Sequence, residues 1–178
     1  MRVLLRPAVL LAASSALLAP RGTAQSLQRL SLQASGAMLF ATRQDPQGFS
    51  SKTRLGFEGQ ARYTFSRFSL GAGYQRSTVF TSPGLNLSLS LGFIEPRLVL
   101  VAGGNLALYV AGRAGLGKLV CSETCNATKT NKVYGGGTGL LLKLGRRVSG
   151  DLGGQFFQMN GDLSSGYAMV RAGLSVGL

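Results

Sequence analysis

The chain has 178 residues, with 19 Lys and Arg, 6 Asp and Glu and no histidine, so its formal net charge is +13. This length is enough for one domain with a sizeable buried core. The basic residues are spread singly, without a stripe or an RNA-binding motif, and this pattern argues against nucleic acid as a partner.

Residues 1–24 have the three parts of a secretory signal peptide. Arg2 and Arg6 form a basic start, an apolar core follows, and residues 22–24 offer small side chains for cleavage. The apolar core is too short to span a membrane as a helix, and no later run reaches the roughly 20 apolar residues that a transmembrane helix needs. We therefore expect this segment to be removed on export, leaving one domain over residues 25–178.

Beyond residue 28, large apolar residues alternate with small or polar ones at a period of two, the pattern of strands with one apolar face. Tight turns and longer polar segments divide the pattern into eight strands. We predict these strands at Gln28–Ala41, Lys52–Phe65, 68–75, Leu85–Val101, Leu106–Val120, Val133–Gly145, Gly150–Met159 and Tyr167–Leu178. An even count, with short turns on one side and longer loops on the other, is the layout of an outer-membrane barrel.

The hairpin between the second and third strands carries a register prediction. If Phe65 faces Phe68 across a tight turn at residues 66–67, Tyr63 pairs with Leu70 and the apolar faces of the two strands coincide.

The fourth strand, Leu85–Val101, is the longest, and the rest of the chain is organised around it. Large apolar residues at positions 85, 87, 89, 91 and 93 alternate strictly with Asn, Ser or Gly. Its length exceeds the usual strand of about 5–6 residues and is typical of membrane-crossing barrels. We predict that these apolar residues face lipid. Strict alternation would then carry Glu95 and Arg97 onto the lipid face, so we also predict a bulge at Pro96 that returns both charges to the interior.

Residues 25–178 resemble the small eight-stranded outer-membrane barrels of the outer-membrane protein A and X type, a porin-like β-barrel domain. The resemblance rests on the export signal, the eight alternating strands and the strand that ends the chain. It implies an all-β, antiparallel, up-and-down transmembrane β-barrel in the outer membrane of a Gram-negative envelope. It also implies that Val170–Leu178 is the recognition signal for the barrel-assembly machinery, although this strand ends on Leu178 rather than Phe. Outer-membrane lipid and lipopolysaccharide phosphates are then the expected acidic neighbours of the basic chain.

The predicted inner face carries eight charged residues: Glu58, Arg62, Glu95, Arg97, Arg113, Lys143, Asp151 and Arg171. An eight-stranded barrel has an interior just wide enough for side chains to fill. An isolated buried charge is costly, so these residues should pair with one another. We expect Lys143 to lie opposite Asp151 and the whole set to form a salt-bridged plug, in preference to a gated, weakly anion-preferring pore.

Two cysteines, Cys121 and Cys125, lie four residues apart in a predicted outer loop. Exported proteins meet an oxidising environment, so we predict a local disulfide. A metal site is the less favoured alternative because the cysteines lack the His and acidic partners that such a site would use.

These features favour an integral outer-membrane protein with a structural or envelope role, or with minor pore activity. The alternatives are a soluble lipocalin-like barrel that binds an apolar ligand, and a surface adhesin or receptor. We expect no enzymatic activity and no cofactor, because barrel hydrolases and acyltransferases use histidine as a base and this chain has none.

Overall fold

The computed structural model describes residues 29–41, 54–82, 85–121, 130–160 and 165–178. These residues form eight strands: β1 (Leu30–Ala41), β2 (Arg54–Phe65), β3 (Phe68–Ser82), β4 (Leu85–Gly103), β5 (Leu106–Cys121), β6 (Thr130–Lys143), β7 (Val148–Asn160) and β8 (Ser165–Gly177). Each strand pairs with its sequence neighbours, and β1 pairs antiparallel with β8, so the sheet closes into a barrel. The predicted eight-stranded antiparallel barrel is confirmed. No helix in the described ranges is long and apolar enough to cross a membrane.

The two ends of the barrel differ in their connections. The β2–β3, β4–β5 and β6–β7 turns lie at one end, together with both termini of the barrel, and we call this the turn end. The other end, the loop end, carries the remaining connections. At the turn end Ser66 and Gly104 adopt positive φ angles of 55° and 54°, which tight hairpin turns require. The predicted pairs Phe65–Phe68 and Tyr63–Leu70 are confirmed.

Three strands extend further at the loop end than the sequence pattern indicates. A loop was predicted from residue 76 to residue 84, but β3 continues to Ser82 and pairs there with Leu85. Likewise β6 begins at Thr130 and β8 at Ser165, each ahead of its predicted start. The added residues are mainly polar and do not alternate with large apolar side chains, so they give no periodic signal, yet their backbone groups still continue the ladder.

The outer surface of the barrel is apolar on every strand. Leu55, Phe57 and Leu116 are each about 60% exposed or more. The alternation predicts an outward set of residues on each strand, which is confirmed on β1, β2, β5, β7 and β8, as at Leu32, Phe57, Leu108, Leu152 and Leu174. At the turn end, Tyr63 and Phe65 contact each other edge to face with ring centroids 4.5 Å apart. Aromatic residues near the edge of an apolar band are typical of barrels that contact lipid.

The predicted phase of β4 is wrong at three of its five alternating apolar positions, and the side chains of the other two, Leu85 and Leu87, lie outside the described residues. Leu89 and Leu91 are fully buried and Phe93 is 5% exposed, so all three point into the barrel. Ser90 and Ile94 lie on the outward face instead. On a strand long enough to cross a membrane the apolar alternation favours the lipid face, but here the interior is itself apolar at the loop end.

The predicted bulge at Pro96 is also wrong. The β4–β5 register is unbroken from Ile94–Ala114 to Arg97–Ala111, and the irregularity falls between Val99 and Val101, nearer the turn end. Every second residue from Leu89 to Arg97 therefore points into the barrel. A cationic side chain on the lipid face costs about 2–4 kcal/mol near the membrane centre, and an acidic one costs less. Because both charges are unfavourable there, Glu95 and Arg97 fix the face that carries them as the interior.

The ladder is staggered around the barrel. Following paired residues from Ser35 through β2 to β5 leads to Asn131 on β6, whereas following them through β8 and β7 leads to Leu141. The offset is 10 residues (141 − 131), which means that the strands tilt steeply against the barrel axis. Residues that share a height therefore do not share a ladder row.

Candidate functional site in the barrel lumen

The interior of the barrel is filled in three layers. The loop-end apolar layer consists of Ala37, Leu39, Leu89, Leu91, Phe93, Val133, Phe157, Met159 and Met169, with Tyr167 packed against it. The turn-end apolar layer consists of Ala107, Tyr109, Ala111 and Leu141, with Val99 and Ala102 against it. Between them lies a charged layer formed by Glu58, Arg62, Glu95, Arg97, Arg113, Asp151 and Arg171, none more than 6% exposed.

Glu95 is the centre of the charged layer. Its Oε1 accepts hydrogen bonds from Arg62 Nη2 and Arg97 Nε, both at 2.8 Å, and from Arg171 Nη2 at 2.9 Å. Its Oε2 accepts from Arg113 Nη2 at 2.6 Å, Arg171 Nη1 at 2.8 Å and Gln155 Nε2 at 2.9 Å. One carboxylate therefore joins four guanidinium groups, three from the strands β2, β5 and β8 and one from its own strand β4.

Glu58 and Asp151 extend this network on opposite sides. Glu58 accepts hydrogen bonds from Arg113 Nη2 at 2.7 Å and Arg171 Nη1 at 2.9 Å. Asp151 Oδ2 lies 2.6 Å from Arg97 Nη1, and its Oδ1 accepts a 2.7 Å hydrogen bond from the Tyr109 hydroxyl. Since Arg171 and Arg113 each contact both glutamates, no single ion pair in this layer is independent of the others.

The charges in this layer nearly balance. Four arginines face three carboxylates, so the fully ionised set carries +1 (4 − 3). Removing a charge from water costs several kcal/mol unless ion pairing and hydrogen bonding replace the lost solvation. Glutamines supply part of this: Gln155 donates to Glu95, and Gln75 Oε1 accepts a 2.8 Å bond from Arg113 Nη1. Removing any one member would therefore leave a buried charge without its partner and destabilise the layer.

Two aromatic rings connect the charged layer to the apolar layers. The Arg113 guanidinium carbon lies 3.9 Å from the centroid of Phe93, which belongs to the loop-end layer. The Arg97 guanidinium carbon lies 4.4 Å from the centroid of Tyr109, which belongs to the turn-end layer. Cations over ring faces at this distance are attracted to the ring. The three layers consequently form one continuous packed interior.

Inward glycines make room for these large side chains. A Cβ added at Gly153 would lie 2.7 Å from the Tyr109 hydroxyl oxygen, and one added at Gly71 would lie 2.8 Å from Arg62 Nη2. From the sequence alone, glycines at inward positions predict space for water in the lumen. In the structure, the space at these two positions is taken by neighbouring side chains.

The structure brings together seven of the eight predicted lumen charges, namely all except Lys143. Lys143 is exposed and is paired in the ladder with Ser149, while Asp151 is paired with Leu141. The prediction that Lys143 lies opposite Asp151 is therefore wrong. The β6–β7 turn places Lys143 at the last position of β6, beyond the filled interior.

The contacts of several uncharged members of the network were not predicted. Gln33 Nε2 donates to Asp151 at 2.9 Å and Gln33 Oε1 accepts from Arg97 at 3.3 Å, while Gln60 and Ser69 both contact Arg62. Each lies an even number of residues from an inward residue of its own strand, so the alternation places it on the inner face but does not give its partner. The same holds for the Tyr109 hydroxyl, which lies on the same face of β5 as Arg113.

The two cysteines are only partly within the described residues. Cys121 is the last residue of β5, and Cys125 lies outside the described residues, so the disulfide remains a prediction. Within the ranges that the structure covers, no group of three or more His, Cys, Asp or Glu is placed to hold a metal ion.

Comparison with known proteins finds similarity of fold at low sequence identity. No family model and no curated protein sequence matches the chain. The crystal structure of Neisserial surface protein A is similar with a TM-score of 0.72 and 17% identity, over 84% of this chain and 97% of that one. Ail of Yersinia pestis, in complex with the heparin analogue sucrose octasulfate, is similar with a TM-score of 0.56 and 19% identity, over 82% of this chain and 97% of that one.

A third similar structure is the N-terminal β-barrel domain of OprF from Pseudomonas aeruginosa. Its TM-score is 0.52 at 10% identity, over 83% of this chain and 98% of that domain. These identities are too low to transfer an activity, since one fold hosts many functions. Together with the closed sheet and the apolar outer face, they show that this chain has the fold of the small eight-stranded outer-membrane β-barrels.

Proposed function

We propose that the protein is an integral outer-membrane barrel with a closed lumen and a structural role in the envelope. The observation that carries this proposal is the filled interior, in which a charged layer of seven residues is enclosed between two apolar layers. A pore needs a continuous polar path, and the loop-end apolar layer interrupts such a path even if the charged layer loosens. The absence of histidine supports a role without catalysis.

The apolar outer face favours a membrane-inserted barrel and argues against the soluble lipocalin-like alternative. A soluble barrel needs polar residues on its outer face, whereas here large apolar residues on all eight strands are exposed, among them Leu55 at 66% and Leu116 at 59%. Continuous exposed apolar surface of this extent is rare in soluble proteins and marks contact with lipid or partners.

The proposed route to the membrane follows from the chain ends. Residues 1–24 would direct export and be removed, and the closing strand would then be recognised by the barrel-assembly machinery. Val170, Leu174 and Val176 lie on the outward face of β8 and alternate with the inward Arg171, which supports this role for the strand. The Cys121–Cys125 disulfide would form after export. The segments where an adhesin would bind its target lie outside the described residues.

Expression in a Gram-negative host tests the proposal. We expect the protein in the outer-membrane fraction, starting at Gln25 by mass spectrometry, and migrating faster on a gel when unheated than when boiled. Soluble protein in the periplasm, without heat-dependent migration, would contradict the proposal. A tagged chain that lacks residues 1–24 is the matched control and should remain in the cytoplasm.

A further inference from the structure

Three basic residues lie together on the outer face near the loop end. Arg76 on β3, Lys118 on β5 and Lys132 on β6 are all exposed, and we call them the basic patch. Arg76 and Lys118 pair with the same residue, Ser90 of β4, from opposite sides. Two strand spacings separate them, so their Cα atoms lie about 10 Å apart. Lys132 lies two residues along β6 from Thr130, the ladder partner of Lys118, and hence about 8 Å from Lys118.

The basic patch occupies one side of the barrel. Outward positions toward the loop end on the other side of the barrel, on β1 and β2, hold Phe40 and Leu55, which are uncharged. The three carboxylates that the structure describes, Glu58, Glu95 and Asp151, are all inside the lumen. In the described ranges, therefore, no acidic side chain on the outer face neutralises the patch.

Each cation lies directly above an exposed apolar or aromatic residue of its own strand. The residue two positions nearer the turn end is Tyr74 below Arg76 on β3, Leu116 below Lys118 on β5 and Tyr134 below Lys132 on β6. Their side chains are 47%, 59% and 47% exposed. Between β3 and β5, the strand β4 presents at this height only small outward residues, namely Ser88, Ser90 and Gly92. The surface is thus cationic at the loop end and apolar below, with a shallow strip along β4.

We infer that the basic patch binds the phosphate groups of a phosphorylated membrane glycolipid whose acyl chains lie against the apolar surface below. The inference rests on the proposed membrane insertion and adds a specific lipid contact to it. A soluble polyanion would need only the charges, and the apolar residues aligned under each cation favour an amphiphile with a phosphate above its acyl chains. Basic side chains at an anionic membrane surface contribute about 1 kcal/mol each, or roughly fivefold in affinity.

The test uses the full barrel in detergent and diphosphoryl lipid A as the probe, with bound lipid counted by native mass spectrometry. The variant Arg76→Gln/Lys118→Gln/Lys132→Gln removes the patch. The control variant Lys143→Gln/Arg146→Gln/Arg147→Gln removes the same charge from exposed positions at the turn end. We expect the patch variant to lose on the order of 100-fold in affinity, the combined effect of three cations, and the control variant to lose less than about threefold.

Each other outcome overturns the inference in a recognisable way. Equal loss in both variants would mean that total charge, and not this surface, binds the lipid. No loss in either would mean that the phosphates contact other residues. If the patch variant loses binding to heparin but keeps binding to lipid A, the patch serves a soluble polyanion. For every protein, heat-dependent gel migration reports folding and recovery in the outer-membrane fraction reports insertion, so failure of the proposed function is distinguishable from failure of the lipid contact.

Discussion

Replacement of Glu95 by glutamine tests the charged layer at its centre. The side chain keeps its size, but one oxygen becomes an NH₂ donor that faces guanidinium donors, and the charge of the layer rises from +1 (4 − 3) to +2 (4 − 2). Removing one partner from a buried ion pair costs about 3–5 kcal/mol. Because Glu95 contacts four arginines, we expect Glu95→Gln to lower the free energy of unfolding by at least this amount.

Glu58→Gln is the matched control, since it makes the same chemical change in the same layer. Glu58 contacts two arginines, Arg113 and Arg171, and both retain Glu95 as a partner. We therefore expect a smaller loss than for Glu95→Gln. The assay is reversible urea unfolding of the barrel in liposomes. Unfolding is followed by gel migration and by near-ultraviolet circular dichroism of the tyrosines and phenylalanines, since the chain has no tryptophan. Equal losses for the two variants, or a loss below about 1 kcal/mol for Glu95→Gln, would refute the account of Glu95 as the centre of the network.

Three further predictions follow from the faces of the strands and from the cysteines. Ile94→Arg places a charge on the lipid face near mid-height and should cost about 2–4 kcal/mol in refolding stability in liposomes; a cost near zero would show that the new phase of β4 is wrong. Gly154 faces outward with no atom within 4 Å of an added Cβ, whereas a Cβ at Gly153 meets the Tyr109 hydroxyl. Gly154→Val should therefore be neutral or stabilise the barrel by up to about 1 kcal/mol, while Gly153→Val should destabilise it, and the reverse order in urea titrations would contradict the packing described. Mass spectrometry of the exported protein should find no alkylatable thiol at Cys121 or Cys125, and replacing both by serine should barely change stability because the loop that they close is short; two free thiols would exclude the disulfide.

The alternating pattern predicted most of the barrel because lipid outside and a packed interior impose the same period on every strand. The β2–β3 register followed from the two-residue turn and the matching apolar faces of Tyr63 and Leu70. On β5 the alternation places Tyr109, Ala111, Arg113 and Gly117 on one inner face, and all four are buried.

The phase of β4 could not be read from its leucines alone. Leu89 and Leu91 fit an apolar interior layer as well as they fit lipid, and that layer is formed by residues from other strands, such as Met159 and Met169. The charges were the better guide, because Glu95 and Arg97 are tolerated on only one face. Carrying strict alternation back from Glu95 gives the observed phase without a bulge at Pro96.

The partners within the charged layer depend on the stagger of the sheet, which no single strand encodes. In the ladder, Glu58 is joined through Gln75 to Leu91, yet in space Glu58 and Glu95 share Arg113 and Arg171 because the strands tilt. Lys143 was misplaced for a similar reason: the register of the β6–β7 hairpin is set by its turn and puts Ser149 opposite Lys143.

The central claim is that the lumen is closed, and single-channel recording tests it most directly. Purified wild-type barrel, inserted in a planar bilayer and verified as folded by heat-dependent migration, should give no steady conductance. Glu95→Gln, if it still inserts, should also remain silent, because the loop-end apolar layer of Leu89, Leu91 and Met159 is left intact. Large and steady conductance from the wild-type protein would contradict the closed lumen and identify the barrel as a small porin.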